Sequence, residues 1–169
     1  MPKIKKSALM KATELLANQE QSSEVLRRKL LARKYDSQEV NAAIDKLKKY
    51  NYLDDAEICQ RQFENFYSEG KLSLRQILIK LIQRGFDKDF IEQLIPDDFE
   101  EHERLVAEKL LAKKFSSAKF DRAKAWQFLA ARGFDGEIIS AVVESFTSAQ
   151  EILSSSHDTQ KISAILSSK

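Results

Sequence analysis

The chain has 169 residues and a net charge of +2, with 32% charged residues but only four Gly, two Pro and one Cys. This composition disfavours a turn-rich β fold, is typical of long helices, and excludes an internal disulfide, which fits a reducing cytoplasm. No run of about 18 apolar residues occurs, and the basic first residues lack the apolar segment of a signal peptide, so we expect neither a membrane span nor secretion.

A four-residue phrase, Arg followed by Gly or Lys, an aromatic residue and Asp, occurs three times. The copies begin at Arg33, Arg84 and Arg132, so that consecutive copies are 51 and 48 residues apart. Near-constant spacing of one phrase indicates a repeated supersecondary unit. The surrounding residues align without gaps, and we predict an all-α fold of three tandem three-helix-bundle repeats in an elongated, curved array. Such arrays are typical of binding surfaces rather than catalysts.

The alignment divides the chain into four segments. We expect a first repeat at residues 1–53, a second at 54–98, a third at 99–146, and a Ser-rich tail at 147–169. In the tail, Ile162, Ile165 and Leu166 suggest a short terminal helix.

Charge is unevenly distributed along these segments. Residues 1–53 carry 12 Lys and Arg against 6 Asp and Glu, a net charge of +6, whereas residues 54–101 carry 6 against 12, a net charge of −6. A basic end beside an acidic middle bears on the choice of partner rather than on the fold. Ordinary solvated helix faces are the alternative explanation.

The first helix of each repeat is predicted from apolar residues with a four-residue step, which places them on one helical face. The three stripes are Ala8, Ala12 and Leu16; Cys59, Phe63 and Tyr67; and Ala107, Leu111 and Phe115. Cys59 has the chemistry of a nucleophile, but its place in a stripe favours a small core residue. Before the second stripe, Asp54 and Asp55 fit a helix N-terminus better than the alternative of a metal-binding pair.

The second helices are predicted to begin at side chains that can cap a helix, namely Ser22, Ser73 and Asp121. Gly85 and Gly133 then suit the left-handed residue that ends a helix, and Lys34 takes that position in the first repeat at some strain. We expect the following aromatic residue to pack back onto the helix that it leaves.

The third helices are predicted to start at Asp36, Asp87 and Asp135, and Asp36 with Glu39 fits a reciprocal capping box. Pro96 ends the third helix of the second repeat. The Arg of each phrase needs no structural role and could face solvent. The expected apolar stripes are Val40, Ile44 and Leu47; Ile91 and Ile95; and Ile139 and Val143.

Catalytic signals are weak. His102 and His157 have no partner at metal-ligand spacing, and no Gly-rich phosphate loop occurs. We therefore expect no enzyme, no metal site and no cofactor. Trp126 aligns with dissimilar residues and is predicted to pack in the core or between repeats rather than to form a contact platform.

Basic residues are concentrated in the second helix of the first repeat and at its end. Five cations fall within eight residues: Arg27, Arg28, Lys29, Arg33 and Lys34. This density favours contact with phosphate or with an acidic protein surface. A helix–turn–helix reader of duplex DNA would look similar, although this helix keeps an apolar stripe and lacks a clear set of side chains for base edges.

Several of these phrases resemble the RecX family, whose members modulate the bacterial recombinase RecA. The resemblance spans residues 8–145 and agrees with the tandem three-helix architecture of that family. At Leu72, Phe66 and Asn51 the chain departs from the family's usual Gly, Arg and Gly. The matching pieces are Ser23-Glu24-Val25-Leu26-Arg27-Arg28-Lys29-Leu30, Tyr52-Leu53-Asp54-Asp55, and Gly70, Arg75, Ile77, Leu81 and Arg84-Gly85-Phe86.

The resemblance implies a cytoplasmic, non-enzymatic regulator that binds the RecA filament on single-stranded DNA. It would damp ATP hydrolysis, homologous recombination and the SOS co-protease activity, and we expect it to act as a monomer. Contact with single-stranded or duplex DNA itself is a further expectation. Two alternatives stay open, a helical DNA-binding protein that acts independently of RecA and a generic helical scaffold for another protein. The expected partner-binding residues are Arg27, Arg28, Lys29, Arg33, Lys34, Arg75, Arg84 and Arg132.

Overall fold

Helices account for all the regular secondary structure in the part of the chain that the computed structural model describes, residues 6–115 and 120–149. The all-α prediction is confirmed, whereas the predicted terminal helix of the tail lies outside the described residues. In chain order the helices are α1 (Ala8–Asn18), α2 (Ser23–Leu31), α3 (Ser37–Lys49), α4 (Asp55–Glu69), α5 (Leu74–Gln83), α6 (Lys88–Glu92), α7 (Phe99–Lys114), α8 (Arg122–Ala130) and α9 (136–149).

Side-chain caps start the helices where the sequence predicts them. The Ser22 hydroxyl accepts a hydrogen bond from the Val25 amide at 3.2 Å, and the Ser73 hydroxyl accepts one from the Gln76 amide at 3.3 Å. Each such bond pairs one of the amides that a helix start leaves without an intrahelical partner. The predicted carboxylate caps form in the same way at Asp36, Asp87, Asp121 and Asp135.

Glu39 does not complete the expected capping box. The carboxylate of Asp36 accepts from the amides of Gln38 and Glu39, as predicted. The Glu39 carboxylate, however, accepts from the amide of Ala8 at 2.8 Å, at the start of α1. The reciprocal half of the prediction is therefore wrong, because Glu39 caps a neighbouring helix and ties α1 to α3.

The third helix of the second repeat is shorter than its predicted stripe. Helix α6 ends at Glu92, so Ile91 is buried in the core while Ile95 lies beyond the helix and is only half-buried. Pro96 accounts for the difference, since its ring disfavours the helical conformation of the residue before it.

Left-handed residues end the second helices as predicted. The φ angles are 62° at Lys34, 81° at Gly85 and 80° at Gly133. The aromatic residues that follow the two glycines, Phe86 and Phe134, are each 6% exposed and pack into the core. The structure thus confirms that most of the repeated phrase serves as helix punctuation.

The described residues group into two compact units. Of these, the first unit comprises residues 6–69 and 77–96, and the second comprises residues 70–76, 97–115 and 120–149, so that α5 contributes to both. Each fully buried Leu or Ile contributes about 1.5–3 kcal/mol, and the predicted stripes supply most of these residues. The largest fully buried side chains are Leu26, Leu30, Val40, Ile44, Ile77, Leu81 and Ile91 in the first unit and Leu111, Leu129, Ile139 and Val142 in the second.

Cys59 belongs to this core, as its stripe predicts. Its side chain is fully buried. Burial, with a smaller contribution from the nearby Asp55 carboxylate, raises the pKa of the Cys59 thiol to about 11. Because the thiolate is the nucleophilic form, a pKa this high makes the residue inert near neutral pH.

Candidate binding surface

An acidic neighbour partly neutralises the basic side chains of α2. Glu24 lies one turn before Arg27 and Arg28, and its carboxylate oxygens are 3.6 and 3.7 Å from their Nε atoms. Arg27 also donates to the side-chain oxygen of Asn41 on α3. Arg28 donates to the Gln83 carbonyl at 3.4 Å, while its side chain stays 56% exposed. The two guanidinium groups are therefore held in place at the surface.

Arg33 extends this basic group past the end of α2. Its guanidinium donates to the carbonyl of Lys29 at 2.7 Å, one of the carbonyls that a helix end leaves without an intrahelical donor. Lys29 lines a cavity of about 130 Å³ together with Gln62 and Arg84. Lys34 is exposed beside Arg33. The structure thus places Arg84 of the second repeat beside Lys29, one of the five predicted cations of the first.

The phrase Arg of the second and third repeats packs on an aromatic ring. The guanidinium carbon lies 4.8 Å from the Phe66 ring centroid for Arg84 and 3.7 Å from the Phe128 ring centroid for Arg132. Arg132 also donates to the Phe128 carbonyl at 3.1 Å. Such cation–π contacts are worth about 0.5–1 kcal/mol at exposed sites. Arg84 is exposed, as expected, and Arg132 is half-buried, while both guanidinium groups also make ring contacts that the sequence did not predict.

A serine hydroxyl of one repeat holds the backbone of the phrase in the next. The Ser22 hydroxyl donates to the carbonyl of Arg84, and the Ser73 hydroxyl donates to the carbonyl of Arg132 at 2.5 Å. Both serines also cap their own helices, so each hydroxyl donates and accepts at once. At the equivalent position of the third repeat stands Asp121, whose ionised carboxylate can only accept.

The two phrase glycines are needed for this joint between repeats. A Cβ on Gly85 would lie 2.8 Å from the Cβ of Glu24, and a Cβ on Gly133 would lie 2.8 Å from the Cδ of Arg75. At the same position of the first repeat, Lys34 is exposed and keeps its side chain. The glycines therefore serve both the left-handed φ and the close approach of the preceding repeat.

The eight predicted residues fall into one group within each of the two units. The stem of Arg75 covers Gly133 and so lies beside Arg132. These two residues form the group of the second unit. The group of the first unit contains Arg27, Arg28, Lys29, Arg33, Lys34 and Arg84.

A carboxylate from the next repeat completes each joint, and its pKa is shifted in opposite directions in the two cases. Asp55 accepts from the amide of Ser23 at 2.7 Å and from its hydroxyl, and it lies 2.9 Å from the ammonium of Lys48. Burial by itself would raise the pKa of Asp55, but the hydrogen bonds from Ser23 and Lys48 outweigh it and hold the pKa below its usual value.

Glu103 takes the same position at the second joint, where no ion pair to it is found among residues 6–115 and 120–149. It is 4% exposed, and its Oε1 accepts from the amide of Leu74 at 2.7 Å. Burial raises the pKa of Glu103, and the Leu74 amide offsets this only in part. Desolvation thus dominates at Glu103, where one backbone amide donates, whereas Asp55 accepts from the hydroxyl and amide of Ser23 and from Lys48.

Glu103→Gln is expected to stabilise the protein at pH 7 by of the order of 1 kcal/mol. Glutamine keeps the oxygen that accepts from Leu74, whereas an ionised Glu103 bears the cost of burial. Since the folded-state pKa of Glu103 is raised, its contribution to stability is full below about pH 4.5 and is lost as the pH rises through the folded-state pKa. The melting temperatures of the wild type and of Glu103→Gln should therefore differ at pH 7 and become equal near pH 4.5. A variant that is less stable than the wild type at both pH values would contradict this.

Exposed apolar side chains on the second helices were missed from the sequence. Leu31 and Ile82, at the same position of the first two repeats, are 42% and 44% exposed. Each directly follows a fully buried Leu and so lies outside the apolar stripe of its helix. This position next to the stripe could have predicted their exposure. Aliphatic groups beside cations favour a protein partner over phosphate alone.

Trp126 does not pack in the core, which was one of the two placements predicted for it. It is 45% exposed, whereas its neighbour Ala125 is fully buried. Because consecutive residues of a helix are rotated by about 100°, the face of α8 that buries Ala125 and Leu129 leaves Trp126 at the surface.

Neither a metal centre nor a membrane span is found in the described part of the chain. Within residues 6–115 and 120–149, no group of three or more His, Cys, Asp or Glu is arranged to hold a metal ion. Over the same residues, no helix is both long and apolar enough to cross a membrane.

Comparisons with known proteins point to one family. The family model for "RecX, third three-helix domain" matches residues 103–143. A Regulatory protein RecX of Thermus thermophilus is 31% identical over 85% of this chain and 93% of its own length. That of Chromobacterium violaceum is 32% identical over 82% and 90%. The crystal structure of RecX from Lactobacillus salivarius superimposes with a TM-score of 0.69 at 17% identity, covering 82% of this chain and 93% of that one, which shows the shared fold.

Proposed function

The chain belongs to the RecX family of regulatory proteins, and we propose that it binds the RecA filament on single-stranded DNA and inhibits the recombinase. In this proposal it lowers ATP hydrolysis, strand exchange and SOS co-protease activity without catalytic chemistry of its own. It acts in the cytoplasm, where RecA meets DNA. The observation that supports the proposal best is the pair of basic groups that the repeat joints hold at the surface.

The joints explain why these cations suit a large and regular partner. Ser22 and Ser73 fix the backbone of Arg84 and Arg132, and aromatic rings support both guanidinium groups. Holding long side chains in place lowers the entropy that they lose on binding. The proposed partner groups are carboxylates of RecA and phosphates of the filament DNA, both of which accept charge-assisted hydrogen bonds from Arg.

ATP hydrolysis by RecA on single-stranded DNA tests this proposal. The purified full-length chain is expected to lower the hydrolysis rate at concentrations comparable to that of RecA. Co-sedimentation with the filament should show binding over the same concentration range. Unchanged hydrolysis and no co-sedimentation at a stoichiometric amount of protein would rule the proposal out.

Charge reversal tests the basic group of the first unit. Arg28→Glu together with Arg33→Glu should raise the concentration needed for half-maximal inhibition by about tenfold, because two favourable charge contacts become repulsive. Lys88→Glu with Lys124→Glu is the matched control. It makes the same change in net charge at side chains that are 70% and 76% exposed and pair within their own helix ends. Equal inhibition by both double variants would disprove the site assignment while leaving the proposed function intact.

DNA binding without RecA is the second candidate function, favoured by the +6 charge of residues 1–53. A salt-dependent gel shift on duplex DNA with a sequence preference would support it. A generic scaffold would bind neither DNA nor RecA.

A further inference from the structure

Tyr52 is exposed at a position where the same backbone motif buries its aromatic residue elsewhere. Helix α3 ends with a left-handed residue, Asn51 at φ 56°, and the amide of Tyr52 donates back to the Leu47 carbonyl at 2.9 Å. After α5 and α8, Phe86 and Phe134 take the equivalent position and are 6% exposed, whereas Tyr52 is 73% exposed. Packing of a helix end therefore does not account for Tyr52.

The residues that follow Tyr52 all have structural roles. Leu53 is 2% exposed and belongs to the core. Asp54 caps α4 by accepting from the amides of Ala56 and Glu57, and Asp55 forms the joint with Ser23. Tyr52 contributes its ring to none of these contacts, so its place in the Tyr-Leu-Asp-Asp phrase is left without a structural reason.

Tyr50 and Tyr52 together line a surface cavity of about 250 Å³ at the end of α3. Tyr50 is 60% exposed. The cavity is smaller than the roughly 300–1,000 Å³ of ordinary small-molecule sites, which suits one flat ring rather than a cofactor. Two large rings beside a partly apolar cavity form a stacking surface for another aromatic group. The lining residues are Leu9, Thr13, Lys46, Leu47, Tyr50 and Tyr52.

The charge around this cavity indicates an anionic partner. Lys46 lines the cavity, and Lys49 precedes Tyr50 in the last turn of α3. Across residues 6–115 and 120–149, neither of these two lysines forms an ion pair. Lys48, in contrast, forms an ion pair with the Asp55 carboxylate. Lys46 and Lys49 are therefore the lysines of this helix end that are available to a ligand.

We propose that Tyr50, Tyr52 and Lys46 form a stacking site for a base of single-stranded DNA. The tyrosine rings stack on the base, and Lys46 with Lys49 contacts the adjoining phosphates. Aromatic stacking combined with cations is how proteins hold single strands without reading their sequence. The site lies outside the basic groups of the joints and does not rest on binding to RecA.

Fluorescence anisotropy with a labelled oligothymidine, in the absence of any recombinase, tests this site. Tyr52→Ala should weaken binding of the full-length chain by about five- to a hundredfold, the usual loss for one stacked base. Tyr52→Phe should bind like the wild type, because the ring is retained. Lys46→Glu should reduce the dependence of affinity on salt, since it removes a phosphate contact. An oligonucleotide carrying 5-iodouracil should cross-link to Tyr50 or Tyr52 on irradiation.

Met10→Ala is the control, because Met10 is 56% exposed on α1 and does not line the cavity. It should leave affinity unchanged. Wild-type protein without affinity for the oligonucleotide, or Tyr52→Ala with undiminished affinity, would overturn the proposal. Undiminished affinity together with weaker inhibition of RecA would assign the tyrosines to a protein contact instead. Equal losses in the Phe and Ala variants would also overturn it, since the hydroxyl and not the ring would then be needed.

Discussion

Gly85→Ala is expected to lower the free energy of unfolding by about 2–4 kcal/mol, as the sum of a strained backbone and an overpacked contact. The residue has a φ of 81°, which side chains other than Gly rarely adopt. The added Cβ would lie 2.8 Å from the Cβ of Glu24 and 3.0 Å from the Ser22 hydroxyl oxygen. A Cβ is fixed to its backbone, so the start of α2 itself would have to move. Urea unfolding should show a midpoint lowered by of the order of 1 M with an unchanged slope.

Three other substitutions separate the two causes. Gly133→Ala should cost less than Gly85→Ala, because the clashing atom is the Cδ of Arg75, which can rotate away. Gly136→Ala should be neutral or stabilising by up to about 1 kcal/mol, since nothing lies within 4 Å of its added Cβ. Lys34→Gly should be neutral or slightly stabilising, because it relieves a φ of 62° at an exposed site. If Gly85→Ala were as stable as Gly136→Ala, the joint could not be as tight as the structure shows.

Asp55→Ala is expected to destabilise the protein by about 3 kcal/mol, because hydrogen bonds to a charged group are worth about 1.5–3 kcal/mol and several are lost. The substitution leaves the amide and hydroxyl of Ser23 without their acceptor and removes the partner of Lys48. Asp54→Ala is the neighbouring control. It removes only the cap of α4, a loss of about 1 kcal/mol. Similar losses for the two variants would argue against the Asp55 joint.

Acid should reduce the difference in stability between wild type and Asp55→Ala. The folded-state pKa of Asp55 lies below its usual value of 3.8, so its contribution is present above about pH 4 and is lost as the pH falls through the folded-state pKa. The free energies of unfolding of the wild type and of Asp55→Ala should therefore differ strongly at pH 6 and less at pH 3. Glu103 has the opposite sign because its pKa is raised. The two joints thus respond oppositely to acid, because the Ser23 hydroxyl and amide, together with Lys48, stabilise the Asp55 carboxylate, whereas the Leu74 amide offsets the burial of Glu103 only in part.

The local features of the fold could be predicted from the sequence. Helix caps such as Ser22, Ser73 and Asp87, and the left-handed Gly85 and Gly133, depend on side chains and amides a few residues apart. The apolar stripes depend on helical periodicity, which the sequence displays directly. The basic residues at 27–34 are close together in the sequence, so their clustering could also be predicted without knowledge of the tertiary structure.

Contacts between distant residues were decided by the tertiary structure. Arg84 lines a cavity with Lys29 of α2, and its carbonyl accepts from Ser22, while Arg75 meets Arg132 through Gly133. The Glu39 carboxylate accepts from the amide of Ala8 instead of completing its expected capping box. A carboxylate can accept from any unpaired amide that the fold brings within reach. Trp126 lies at the surface because the orientation of α8, not the size of its ring, decides which residues are buried.

By itself the sequence determined the repeat, its punctuation and the family resemblance. Its phrase of Arg, Gly or Lys, an aromatic residue and Asp marks helix ends, and those ends are local. Only the tertiary structure showed that Ser22 and Ser73 hold the phrase of the following repeat, that the glycines admit Glu24 and Arg75, and that Tyr52 is exposed where Phe86 is buried. The physical reason is sequence distance: the two serine contacts span 62 and 59 residues, and such pairs are specified by packing of the whole unit rather than by local propensity.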